Sequence, residues 1–192
     1  MKKDRFEMFS DGVIAIIITI IVLELKVPRG ETVQALVPMV PVLFSYILSF
    51  IHLGIYWSNH HHMLHVTSEV TGPMLWANLH LLFWLSLIPF TTSWMGENHF
   101  AAAPVALYGL VLLFAAIAYR ILQQAIIALQ GPNSILRTAV GSDWKGRLSL
   151  VLYAIAIPVA FAARWLSLAI YLLVALVWLV PDRRIERMRP VK

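Results

Sequence analysis

Residues 5–27 read Arg-Phe-Glu-Met-Phe-Ser-Asp-Gly-Val-Ile-Ala-Ile-Ile-Ile-Thr-Ile-Ile-Val-Leu-Glu-Leu-Lys-Val. No charge interrupts the run from Gly12 to Leu23. A stretch this long and this apolar predicts a membrane-spanning helix. Its head is unusual, because Ser10 and Asp11 stand where the apolar run begins. An ionisable group at membrane depth is costly, so it faces protein or a water-filled path.

Outward from that stretch, composition agrees. Hydrophobic residues make up 60% of the 192-residue chain, and the mean hydropathy is +0.77. Soluble domains carry less, so the fold class expected is all-α: a polytopic membrane protein with six transmembrane helices. There is no cysteine, which excludes disulfides. The formal charge of +5 reflects basic residues at membrane faces and does not call for nucleic acid as a partner. Met1-Lys2-Lys3-Asp4-Arg5 resembles the basic head of a signal peptide. The apolar run is too long for such a leader and no small-x-small site follows it, so a retained first span is expected.

The chain divides into spans of approximately 9–27, 35–57, 74–94, 101–128, 145–162 and 166–180, with no separable soluble domain and no convincing internal repeat. Pro28 stops the first. Pro38 and Pro41 fall in the first turns of the second, where missing amide donors cost little. The polar stretch from Ser58 through His62 to Gly72-Pro73 reads as a connection. Pro89 interrupts the third span, and residues 133–147 read as a polar loop. Arg164 breaks the last apolar run, 148–180, into halves of about 16 residues, roughly 24 Å each against a core of ~30 Å. The fifth helix should therefore begin near Asp143, with Lys145 and Arg147 snorkelling. Trp57, Trp94, Trp144 and Trp165 fall near span ends, as interfacial belts do. With six spans, one side holds Lys2, Lys3, Arg5, Arg120, Arg137, Lys145, Arg147 and the basic tail. The other holds Lys26, Arg29 and Arg164. Twelve basic residues against three place both termini in the cytoplasm.

Arg5-x-x-x-Phe9-Ser10-Asp11, followed by Gly-Val-x-Ala-Ile and a Thr eight residues after the Asp, resembles the transmembrane protein 175 family of potassium channels. Trp76-Ala-Asn78 through Pro89 also resembles that family's third helix. Bacterial members have one six-helix repeat per chain and animal lysosomal members two, so this chain looks like the bacterial form. The resemblance implies a channel and not an enzyme. It implies a homotetramer in the bacterial inner membrane, with K⁺ as the permeant ion and no cofactor.

It also assigns residues. At ~100° per residue, Ile16, Thr19, Ile20 and Leu23 fall within one arc of about 100°, with Ser10 and Asp11 straddling the opposite face. Residues 13–23 are apolar nearly all round, so periodicity alone does not choose which face packs. The family lines its pore with the first helix, with a bulky aliphatic five residues after the motif Asp and a Thr at eight. The resemblance therefore makes Ile16, Ile20 and Leu23 a pore constriction that resists wetting. Thr19 becomes the position that coordinates ions. No Thr-Val-Gly-Tyr-Gly filter occurs in the chain, so selectivity for K⁺ over Na⁺ should be moderate. The first helix has no series of arginines, which argues against steep voltage gating. The motif Arg5, Phe9, Ser10 and Asp11 looks like a packing device in the family, tying the pore helix to the second and third. Trp57, His61, Trp76 and Asn78 are its candidate partners here.

Two other classes of function remain open on the residues alone. His60, His61, His62 and His65 lie within six residues, and His61 with His65 has the i, i+4 spacing of a metal pair. That pair would suit a membrane oxidoreductase, although the nearby carboxylate is Glu69 alone. His52, His80 and His99 are scattered. A small-solute transporter is the other alternative.

Overall fold

The computed structural model describes residues 2–67 and 69–179, and among them there is no β-strand. The basic tail and the expected end of the last span at residue 180 lie outside the described residues. The helices are α1 (Lys3–Leu23), α2 (Val40–His65), α3 (Gly72–Ser86), α4 (Ile88–Glu97), α5 (Ala102–Gln130), α6 (Ile135–Val140) and α7 (Trp144–Leu179). Five helical segments are long and apolar enough to cross a membrane, α3 and α4 forming one of them.

The sixth crossing comes from α7, which folds back on itself. Ala163 leaves the helical region, at φ −150° and ψ 73°, immediately before Arg164. Beyond it the second arm returns antiparallel to the first. Ser167 Oγ donates to the Ala156 carbonyl at 2.8 Å, the Tyr153 and Tyr171 rings lie 6.1 Å apart, and Trp178 Nε1 donates to Ser149 Oγ at 2.9 Å. At the turn, Arg164 lies over the Trp165 ring, which also packs on Phe100.

Prolines and caps shape the other ends. A 3₁₀ segment, Val33–Met39, precedes α2, so the regular helix begins later than the expected residue 35. Pro38 and Pro41 remove amide donors just where the α-helical ladder would start. At its other end α2 runs to His65 rather than stopping at residue 57. His60, Met63 and Leu64 are buried there, while Asn59 and His62 satisfy themselves on carbonyls four residues back. The histidine run is thus helix and not loop. Pro89 sits in the first turn of α4 and divides the third span at Leu87. The expected polar loop 133–147 contains α6. Ser134 Oγ caps it by accepting from the Arg137 amide at 3.1 Å, and Leu136 and Ala139 are buried.

Helix α5 is central, packed on α3, α4 and α7, whereas α1 packs on α2, α3 and α4. Close approach of α5 and α7 depends on Gly109. A Cβ there would lie 2.0 Å from the Tyr171 hydroxyl, which donates to the Val105 carbonyl. Between α2, α5 and both arms of α7 lies a cavity of about 50 Å³, lined by His52, Tyr56, Gln123 and Tyr153 among others.

At one edge of this cavity Arg120 Nη1 pairs with Asp143 Oδ2 at 2.9 Å. Burial pushes the Asp143 carboxyl above its ordinary value, against the opposing pull of Arg120 and the Gly146 amide. A carboxyl whose folded value is raised contributes stability below its unfolded value and loses it as pH rises through the folded one. Arg120→Gln removes the cation that holds that value down. We expect it to lower the thermal midpoint more at about pH 8 than at about pH 4, with a cost of ~2 kcal/mol at the higher pH. This is less than for a fully buried pair, because Arg120 is one-third exposed. Thermal unfolding of the variant at both pH values checks it; equal losses would remove Asp143 ionisation as the cause.

Candidate functional site

Helix α1 presents two faces of different chemistry. Its buried residues are Phe6, Ser10, Ile14, Ile17 and Ile21, spaced four, four, three and four apart, which is one continuous stripe. On the opposite side Ile16 is 58% exposed and Leu23 79%, with Thr19 and Ile20 also exposed between them. The outward face therefore carries Ile16, Thr19, Ile20 and Leu23 together, unpartnered within the subunit. Gly12, Phe9 and Arg5 continue that face toward the N-terminus, and all three are exposed. Among the described residues Arg5 makes no hydrogen bond or ion pair.

Thr19 has a definite orientation. Its Oγ1 donates to the Ile16 carbonyl at 2.8 Å. The proton is thus tied to the helix's own backbone, and the oxygen lone pairs remain free to accept or to coordinate.

The inward face is fixed by a chain of buried polar groups. Ser10 is fully buried, and its hydroxyl donates to the Phe6 carbonyl at 2.9 Å. Asn78 of α3 donates through Nδ2 to Ser10 Oγ at 2.9 Å. Asn78 Oδ1 accepts from His60 Nε2 of α2 at 2.8 Å, which makes His60 the Nε2–H tautomer. Three helices meet on one amide, which uses both its donor and acceptor ends. A buried hydroxyl and a buried imidazole each need such a partner.

A second layer lies nearer the N-terminal end. Trp57 Nε1 donates to Asp11 Oδ1 at 3.1 Å. His61 Nδ1 lies 3.2 Å from Glu7 Oε1, a charge-pair distance without the alignment of a hydrogen bond. The His61 ring stacks on Trp57 and on His65. Lys3 Nζ closes the end by donating to the His65 carbonyl at 2.9 Å.

Of the four partners expected for the motif, the structure brings Trp57 to Asp11, Asn78 to Ser10, and His61 to the Glu7–Asp11 edge of α1. Trp76 is not among them. It is 75% exposed and makes no hydrogen bond or ring contact with the motif among the described residues. Trp76 lies two residues before Asn78, about 200° round α3, so one of the two must face away. Glu7 and His60 are further members of this contact outside the four expected partners, His60 having stood only in the histidine cluster. Their relation was not legible, since His60 meets Asn78 only through the packing of α2 on α3. The i, i+4 placement of Glu7 and Asp11 on one side of α1 was a signal that could have been used. The His61–His65 pair is stacked, at 6.3 Å and 26° between rings, so its nitrogens do not converge as a chelating pair.

Residues 5–89 match the family model described as the endosomal/lysosomal potassium channel TMEM175. A potassium channel of Chryseobacterium sp. (strain P1-3) is 52% identical over 187 residues, covering 97% of each chain. The chain belongs to the TMEM175 family. A Streptomyces collinus potassium channel is 31% identical over 91% of this chain and 90% of its own. The crystal structure of a lysosomal potassium-selective channel TMEM175 homologue from Chamaesiphon minutus superposes with a TM-score of 0.82. It is 25% identical and covers 94% of this chain and 97% of that one.

Membership of the TMEM175 family makes the chain a multi-pass membrane channel and not an enzyme. The matched region, 5–89, contains both faces of α1 and the residues of α2 and α3 that anchor it. The histidines at the end of α2 then have structural work: His60 in the Asn78 chain, His61 beside Glu7.

Proposed function

We propose that this TMEM175 member is a potassium channel of moderate selectivity. In this reading α1 lines the pore of a homotetramer in the bacterial inner membrane, with both termini cytoplasmic. The observation that carries the reading is the contrast between the two faces of α1. One is locked to α2 and α3 by buried hydrogen bonds; the other is an unpartnered aliphatic stripe carrying one hydroxyl. One helix cannot enclose a pore, so several copies must contribute it. Rings of Ile16, Ile20 and Leu23 form a constriction that excludes water until it widens. Thr19, with its lone pairs outward, coordinates partly dehydrated ions beside it. No cofactor takes part, and K⁺ is the permeant ion. The similar proteins of Chryseobacterium and Streptomyces carry the name potassium channel, which supports the ion. The twelve-to-three division of basic residues supports the orientation.

The test is ion flux through purified protein in liposomes, with K⁺ inside and Na⁺ outside. A K⁺-favouring flux at rates that do not saturate is expected. Saturable, slow flux would make it a small-solute transporter, and no flux from folded protein would overturn the channel reading.

A further inference from the structure

Glu7 and Asp11 of α1 and His61 of α2 each place one ligand-type atom within 4.8 Å of the other two. We infer that these three side chains form a binding site for a first-row divalent cation, of the Zn²⁺ class, bridging α1 to α2. The site lies at the bundle end that carries the N-terminus, beside the outward face of α1 but not on it. The inference does not rest on the pore reading, because it concerns binding by one chain.

The donor set suits the ion. One imidazole nitrogen and two carboxylate oxygens are hard-to-borderline ligands, and their two negative charges neutralise the cation. Around a tetrahedral ion with bonds of ~2.0–2.2 Å, ligand atoms stand ~3.3–3.6 Å apart. The 4.8 Å cluster therefore closes by side-chain shifts of about 1 Å, and one coordination position stays open to water. Glu7 is four residues before Asp11, so both carboxylates rise from one side of α1.

Two features besides the cluster point to a ligand. His61 Nδ1 is shielded from solvent, on a side chain 45% exposed overall, and lies at charge-pair distance, 3.2 Å, from Glu7 Oε1 without an aligned hydrogen bond. A donor atom held against a carboxylate without bonding it is placed for a shared third atom. The surroundings also resemble the outer shell of a metal site. Trp57 Nε1–H fixes one oxygen of Asp11, leaving the other free, and the stacked Trp57 and His65 rings hold the His61 plane. The histidine run alone does not offer this, since His61 and His65 are stacked and His62 Nδ1 is taken by the Ser58 carbonyl.

The experiment is calorimetric titration of ZnCl₂ into the purified full-length protein, with Glu7→Gln, His61→Asn and His62→Asn beside the wild type. One saturable site per chain is expected. Glu7→Gln and His61→Asn should each weaken it by more than about tenfold, as loss of even an outer-shell partner does. His62→Asn should leave it within about threefold, since its Nδ1 is taken by the Ser58 carbonyl and it is not a ligand. Glu7→Gln keeps side-chain shape and touches none of the Ser10–Asn78–His60 bonds, so it reads binding without a folding defect. Absence of saturable binding overturns the proposal. So does binding that survives Glu7→Gln and His61→Asn, or that falls with His62→Asn.

Discussion

Ile16→Asn is expected to raise K⁺ flux through liposomes by about tenfold or more over the wild type. The barrier assigned to Ile16 is the cost of wetting a narrow ring of sec-butyl groups. An amide offers donors and acceptors at that point, and four copies introduce four of them. Each ~1.4 kcal/mol removed from the barrier multiplies the rate about tenfold, which four amides in one ring should supply. Ile16 is 58% exposed on the subunit surface, so the change leaves the subunit's own packing intact. Ile14, two residues away, is the control. It is fully buried, and Ile14→Asn would strand an amide in the packed face, costing folded protein rather than opening a path. If Ile16 instead faces lipid, the asparagine would leave flux unchanged and weaken insertion. Unchanged flux from well-folded Ile16→Asn would remove Ile16 from the pore and with it the constriction.

That such a test can be framed on one residue shows where the sequence was informative and where it was not. Residues 13–23 are apolar on almost every side, and nothing in their periodicity distinguishes Ile14 from Ile16. The polar head makes the distinction. Ser10 must meet Asn78, so Ser10 faces inward, and the 3.6-residue repeat then turns Ile14, Ile17 and Ile21 inward with it. A single buried hydroxyl thus sets the rotation of an otherwise ambiguous helix. The hairpin in α7 was legible in part: Arg164 signalled a break, whereas the Ser167–Ala156 and Trp178–Ser149 bonds that close it are long-range pairings with no local signal. The end of α2 was misread for a different reason. Four histidines look like a loop by polarity, but a helix end in water carries polar residues at little cost, and His60 had a partner 18 residues on. Trp76 lies at the same membrane level as Asn78, but two residues along a helix place the two on opposite faces.

Asn78→Leu is expected to cost ~3 kcal/mol and to lower the thermal midpoint of the purified protein by ~10 °C, which for a chain of this size is the corresponding shift. Leucine keeps the branched heavy-atom shape and leaves no cavity, while its bulkier methyl groups add some overpacking at this buried position to the polar loss. The substitution removes both ends of the link, leaving Ser10 Oγ without its donor and His60 Nε2–H without its acceptor. Hydrogen bonds between membrane helices are worth about 0.6 kcal/mol on average and ~1.7 at most. At the average, two of them supply only ~1.2 kcal/mol; the remainder comes from the buried His60 Nε2–H left unsatisfied and the Ser10 oxygen losing its donor, at ~1–3 kcal/mol each. Asp11→Ala provides the comparison. Asp11 accepts one hydrogen bond, from a Trp57 that is 46% exposed, so within one subunit its loss should cost ~1 kcal/mol or less. If the motif aspartate acts inside the subunit, Asn78→Leu is the more damaging change by both midpoint and yield. A larger loss from Asp11→Ala, read as dissociation of the oligomer on size-exclusion chromatography, would place the work of Asp11 at the contact between copies. A midpoint for Asn78→Leu within about 2 °C of wild type would show that the Ser10–Asn78–His60 chain does not hold α1 in place. The rotation that turns Ile16 outward would then need another cause.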